Sequence, residues 1–281
     1  IQGRYAINKP LPAIPGFEAT GLVVDAGSDA IQLKDKRISC FTQKMDWGTF
    51  SEYFIADAKD CIPLLKGFPE EQAACFSINP FTAYGLMEEV KKSDHTSVVL
   101  NAAGSQVAGL FRQLARMEGL KVVNIIRKPE LKNLLEEEGE EWILIQDQEN
   151  FEKDLTETAK KANAHLAFDA VGGEMTGALI NCMPDKSIVY VYGGLSGKPI
   201  GNLDPLEIIF HNKVLKGWDL NQWLSSQTKE RFHLISEELQ NLIIDGSVST
   251  KIQSEYQLEE YEKALFQYIK RMSLGKILLR S

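Results

Sequence analysis

Residues 96–128 read TSVVLNAAGSQVAGLFRQLARMEGLKVVNIIRK. Val98, Val99 and Leu100 form an apolar run without alternation, which predicts a strand buried on both faces. Gly104 then marks a turn. From Ser105 to Glu118 the apolar residues recur at helical spacing. LKVVNII then opens a second strand of the same buried kind.

The same rhythm continues downstream. PELKNLLEEEG, with Pro129 at its start, reads as a helix. EWILI precedes FEKDLTETAKKAN, AHLAFDA precedes GEMTGALINCM, and SIVYVYGG follows. Continuous apolar strands alternating with amphipathic helices predict an α/β fold with a doubly wound parallel sheet over 81–221. The flanks read differently. ATGLVVDAG, KRISCF and FSEYFIA predict short strands broken by turns, and FPEEQAACF and NPFTAYGLMEEVKK predict helices. Beyond a long helical pattern at 226–245, TKIQSEY, LEEYEKALFQYIKRM and GKILL predict strand, helix, strand. Residues 1–80 and 222–281 are therefore expected to build one β-rich domain.

Composition narrows the classes of function. The chain is 44% hydrophobic and 25% charged, with a net charge of −8 and its cations dispersed, which argues against nucleic acid as the main partner. No apolar stretch reaches the roughly 18–20 residues that span a bilayer. Cys40, Cys61, Cys75 and Cys182 stand far apart, with no CxxC and no histidine at ligand spacing, so reduced thiols in an intracellular setting are expected. The opening IQGRYAINKP, followed by Pro12 and Pro15, reads as the middle of a loop. An N-terminal portion, and any address it carried, is expected to be absent, leaving cytoplasm and mitochondrial matrix both open.

Several segments carry a resemblance. QGRY, LPAIPGFEATGLVVDAG, GTFSEYFIA, NPFTAYGLM, FDAVGG and VYGGLSG resemble the zinc-independent quinone oxidoreductase branch of the medium-chain dehydrogenase/reductases. NIIRK, KGWDLNQW and the NAA before the turn look closest to mitochondrial-type enoyl thioester reductases. The resemblance implies a Rossmann nucleotide domain beside a GroES-like one. It also bears on metal: zinc-dependent members carry a histidine where GFEATG has Phe17, and a phenyl ring cannot ligate zinc. No metal site is expected.

The turn after the first strand is the candidate cofactor site. Such turns use small residues to turn sharply, approach a pyrophosphate and pack helix on strand. Here Gly104, Ser105, Gln106 and Val107 occupy it, with Ala108 and Gly109 following. Gln106 is the departure: its side chain either enters the space a pyrophosphate needs or points outward and donates a hydrogen bond. An NAD binder places an acid near the end of the second strand, but this one ends in Arg127 and Lys128, cations suited to a 2′-phosphate. NADPH is the expected cofactor. By resemblance, further contacts fall at Asn79, at Tyr192, Gly193, Gly194 and Leu195, at Trp218 and Asn221, and at Lys276.

The implied chemistry is hydride transfer to a conjugated carbonyl compound, an enoyl thioester or a quinone, without zinc. Negative charge develops on the carbonyl oxygen and a proton must reach the α-carbon. The resemblance places a tyrosine of a QGxY context there, which is Tyr5 after Gln2, Gly3 and Arg4. Asp169 ends a strand and either orients the neighbouring loop or caps the helix after Gly172 and Gly173. His95, His165, His211 and His233 are scattered, and the acidic run 136–141 reads as a solvated helix end. Partners expected are a small-molecule substrate and, through an edge strand, a second copy of the chain. The alternative is a non-catalytic scaffold or accessory subunit of a larger assembly, which kept the fold with a degenerate turn.

Overall fold

The computed structural model describes residues 11–43, 48–93 and 95–281. It divides into two compact units, one of residues up to Thr82 with Gln227–Ser281, the other Ala83–Ser226.

In the first unit β1 (Glu18–Leu22), β2 (Arg37–Phe41) and β3 (Cys61–Pro63) form an antiparallel sheet in that order. Residues 50–56, FSEYFIA, alternate as a strand would. Contrary to expectation they form none, because a strand needs a ladder and no described strand runs beside them. α1 (Glu70–Ala73) follows Pro69, and α2 (Asn79–Lys91) begins in this unit and ends in the other. Phe68, Phe76 and Phe81 are buried edge to face, with centroids 5.1 and 5.3 Å apart. Each such ring contributes roughly 1.5–3 kcal/mol by leaving water.

The second unit begins its sheet with β4 (Ser97–Leu100), followed by α3 (Gln106–Met117), β5 (Lys121–Ile126), α4 (Leu131–Glu137), β6 (Ile143–Ile145) and α5 (Phe151–Ala162). β7 (Leu166–Asp169), α6 (Glu174–Cys182), β8 (Ile188–Val191), α7 (Pro205–His211), β9 (Val214–Gly217) and α8 (Leu220–Ser225) complete it. All strand pairs are parallel, in the order β6-β5-β4-β7-β8-β9. The order reverses between β4 and β7, the switch point where such sheets bind ligands at their carboxyl ends. Val99, Val123, Ile125, Leu155, Leu179 and Val189 lie in one core cluster.

The chain then returns to the first unit with α9 (Lys229–Ile244), β10 (Ile252–Gln257), α10 (Tyr261–Lys270) and β11 (Lys276–Arg280). β10 and β11 pair in parallel with α10 between them in sequence. Gln240 of α9 accepts from Leu65 N at 2.7 Å, and Gln72 exchanges hydrogen bonds with Thr250, tying the returning segment to the first.

Candidate cofactor site

Asn101, the first residue after β4, is fully buried, and so is Asp169, the last residue of β7. Asn101 Nδ2 donates to Asp169 Oδ1 at 2.5 Å, and Asn101 Oδ1 accepts from Ala170 N at 2.8 Å. The carboxylate also accepts from Val171 N, Gly172 N and Thr176 Oγ1. Asp169 thus orders the loop after β7. It is not the cap of α6, whose N-cap residue is Gly173 at φ +63°.

The turn after β4 is held just as tightly. Ala102 sits in the left-handed region at φ +46°, a conformation that non-glycine residues adopt at a cost and that clusters at ligand sites. Ser105 N donates to Ala102 O and Ala103 N to Ile125 O, which sets the turn beside the end of β5. Ser105 is the N-cap of α3, its hydroxyl accepting from Ala108 N at 3.3 Å. A Cβ on Gly104 would come within 2.6 Å of a terminal methyl of Leu131, so glycine lets the turn pack closely on α4. The Ala108 methyl is fully buried, and Gln106 and Val107 are half-buried in the first turn of α3.

Beneath the turn lies Arg112, 3% exposed. Its Nη1 donates to Ala103 O at 2.6 Å, its Nη2 reaches Glu138 at 2.8 Å, and Glu140 lies 3.6 Å from its Nε. Glu140 also accepts from Asn124 of β5. Two members of the acidic run are therefore not solvated. A buried guanidinium needs counter-charges, and Glu138 and Glu140 supply them.

Arg127 and Lys128 follow β5 directly, two residues beyond the carbonyl that holds the turn. Both are exposed, and among the described residues neither is paired with a carboxylate. From the other side of the switch point comes the 192–196 loop. Tyr192 and Gly193 donate their N–H groups to Asp169 O, Leu195 to Ala170 O and Ser196 to Val171 O. A Cβ on Gly193 would meet Ala170 O at 2.7 Å, whereas Gly194 faces open space. The Tyr192 hydroxyl is buried with no hydrogen-bond partner among the described residues. Burial, and then the Asp169 carboxylate, push its phenol well above the ordinary range. Gly104 to Val107, Arg127, Lys128 and Tyr192 to Leu195 thus gather at the carboxyl edge of one sheet.

Other expected residues lie elsewhere. Trp218 follows the edge strand β9 and packs beside Trp223 and against Gly85, where a Cβ would meet its ring at 2.5 Å. Asn221 is exposed on α8. Tyr5 lies outside the described residues. Asn79 and Lys276 belong to the first unit, where sequence reasoning missed a buried carboxylate. Glu18 accepts from Ile78 N at 2.9 Å and Ser77 Oγ at 3.3 Å, with Lys276 Nζ 4.0 Å away. Burial raises the Glu18 carboxyl despite these contacts. Burial alone would lower Lys276, but Glu18 foremost, with Cys75 and Tyr268, raises it. Glu18, Cys75, Ile78, Tyr268 and Lys276 line a groove of about 1270 Å³ within the first unit. The signal was available: an acid as the first residue of a short, glycine-containing strand.

No family model matches the chain. It is 29% identical over 280 residues to the mitochondrial enoyl-(acyl-carrier-protein) reductase of Mus musculus, spanning 94% of this chain and 72% of that protein. The Arabidopsis thaliana protein of the same name is 28% identical over 290 residues, spanning 99% and 73%. A solved Mesorhizobium loti protein assigned as an NADPH:quinone reductase superposes with a TM-score of 0.91 at 30% identity, over 100% of this chain and 81% of that one. Escherichia coli quinone oxidoreductase, solved with NADPH, gives 0.86 at 21% identity over 99% and 85%, a likeness of fold. The chain is a medium-chain dehydrogenase/reductase. Within that superfamily it belongs to the zinc-independent branch of quinone oxidoreductases and enoyl thioester reductases.

Proposed function

We propose that this chain is an NADPH-dependent reductase of conjugated carbonyl compounds, either enoyl thioesters or quinones. The observation that carries the reading is the carboxyl-edge cluster at the switch point. There a strained, hydrogen-bonded turn, an unpaired Arg127–Lys128 pair and an orphaned Tyr192 hydroxyl converge. A buried hydroxyl without a partner costs about 1–3 kcal/mol, which a ligand atom bonding to it would relieve. The relatives are reductases by name, and this weighs against the scaffold alternative.

The residues fit the cofactor as follows. The amides of the first turn of α3 face a pyrophosphate favourably, because a helix N terminus concentrates free N–H groups. Arg127 forks onto a 2′-phosphate and Lys128 adds a point charge. Tyr192 and the Gly193–Gly194 backbone bound the opposite side. Bound NADPH supplies a hydride to the β-carbon of the acceptor. The chain's task is then to stabilise the charge that builds on the acceptor oxygen and to deliver a proton. Tyr5, of the unit we read as GroES-like, is the residue we assign to it, and the family resemblance adds Asn79 and Lys276 as candidate cofactor contacts. Such a positioned acid is worth about 10²–10⁴-fold.

The deciding experiment is thermal unfolding with NADPH and with NADH, followed by turnover on an enoyl thioester and on a quinone. Ligand at about 100 times its Kd stabilises the native state by about 2.7 kcal/mol. A shift with NADPH and not NADH supports the reading, and no shift with either removes it.

The sheet edge supports a reading of the assembly. β9 ends the six-stranded sheet, and the neighbouring α7 exposes Ile209 and Phe210 at 65% and 74%. We infer a homodimer through this edge, tested by sedimentation of the wild type against Phe210→Glu. Among the described residues no helix is long and apolar enough to cross a membrane. The relatives' names favour mitochondria over the cytoplasm as the compartment.

A further inference from the structure

The antiparallel pairing of β2 and β3 sets Cys40 directly opposite Cys61. Leu64 N donates to Arg37 O at 3.0 Å, so 37 and 64 are a hydrogen-bonded pair. Such pairs alternate along an antiparallel ladder, which makes 39/62 hydrogen-bonded and leaves 38/63 and 40/61 non-hydrogen-bonded. Pro63, which has no N–H to donate, occupies one of the latter positions, as the pattern requires. Cα atoms at non-hydrogen-bonded pairs lie about 4.5 Å apart with side chains close together, inside the roughly 4.4–6.8 Å a disulfide spans. The Cys61 thiol donates to Asp57 O at 3.4 Å, at the start of the turn that leads into β3.

We propose that Cys40 and Cys61 are a redox-modification site, a cross-strand dithiol that closes to a disulfide in the folded protein on exchange with a low-molecular-weight disulfide. Cys61 is the entering member. It is partly exposed and lines the groove of the first unit, whereas Cys40 has no exposed surface. The neighbouring Cys40 thiol lowers Cys61, and the same proximity, with burial, raises Cys40. Cys61 thiolate attacks one sulfur of the small disulfide, forming a mixed disulfide and expelling one small thiolate. Cys40 then gives up its proton and displaces the second. Overall the pair loses two protons and two electrons, and the small disulfide becomes two thiols. Cys75, pushed up to about 12 by burial and by Glu18, and Cys182, raised by burial, are poor competitors. The bond would close the chain between β2 and β3, including the residues 50–56 that wall the groove. This inference stands apart from the reductase reading.

The test treats the whole folded chain with oxidised glutathione, blocks remaining thiols with N-ethylmaleimide and maps tryptic peptides by mass. The expected product links residues 38–44 to 60–66 with the loss of two hydrogens, is reversed by dithiothreitol, and leaves Cys75 and Cys182 alkylated. Cys40→Ser, lacking the resolving thiol, should instead retain glutathione on Cys61. Glutathione held on Cys61 of the wild type, a link to another cysteine, or full alkylation of both thiols would each overturn the proposal. Should the serine variant not fold, the wild-type map alone decides.

Discussion

Asn101, just after β4, and Asp169, at the end of β7, stand at the two strands that flank the switch point, 68 positions apart, and meet through a fully buried 2.5 Å hydrogen bond. This contact fixes the mutual position of the β4 turn and the β7 loop. Asp169→Asn keeps the shape but replaces an acceptor-only group that receives four donors, one of them the Asn101 amide, with one that must donate through its own NH₂. We expect a loss of about 2–3 kcal/mol in urea unfolding, with weakened NADPH binding alongside. An unchanged midpoint would show that the contact is decorative.

Arg127→Ala and Lys128→Ala should each weaken NADPH binding about tenfold, since charge-assisted contacts contribute about 1.5–3 kcal/mol before screening at an exposed site. NADH affinity should barely change. Isothermal titration with both cofactors checks this, and equal losses for the two would place the cations away from the 2′-phosphate.

Tyr192→Phe removes a buried hydroxyl that has no partner among the described residues. Stability without ligand should hold or rise by about 1 kcal/mol, while the gain on adding NADPH shrinks. A variant less stable in both states would mean that the hydroxyl is satisfied within the protein.

Burial raises Glu18 above its ordinary value of 4.5. The folded chain therefore keeps a proton that the unfolded chain has already released, and unfolding gives it up. Stability must fall as pH rises from 4.5 through the folded value, and it is fully retained below. Relative to Glu18→Gln, the wild type should lose stability across that window in urea melts taken from about pH 4 to about pH 8. Parallel curves would contradict the shift.

Tyr5→Phe should lower turnover on an enoyl thioester well beyond tenfold and leave the NADPH-induced shift in Tm alone. Stopped-flow turnover beside a melt separates the two effects, and retained turnover clears Tyr5 of the proton transfer.

The nucleotide-type sheet was legible in the sequence because its strands are unbroken apolar runs and its helices carry a clear apolar face. The Arg127–Lys128 pair followed from that order, whereas the Tyr192–Leu195 turn came from the family resemblance. What was not legible depended on contacts across the chain. FSEYFIA alternates like a strand, yet alternation says nothing about whether a partner is present. Glu138 and Glu140 look like any solvated acids until Arg112 is seen beneath them. Cys40 and Cys61 read as distant until register places them face to face, and Glu18 shows its burial only once Ile78 and Ser77 close over it.

The cluster around Arg112 has a consequence for how the protein responds to salt. Its charges are shielded from solvent ions by the fold, whereas Arg127 and Lys128 stand within reach of every counterion. Ionic strength should therefore act on the two separately. Raising it loosens the grip on the nucleotide and leaves the scaffold that shapes the turn intact, so an enzyme stalled in brine would regain its activity on simple dilution.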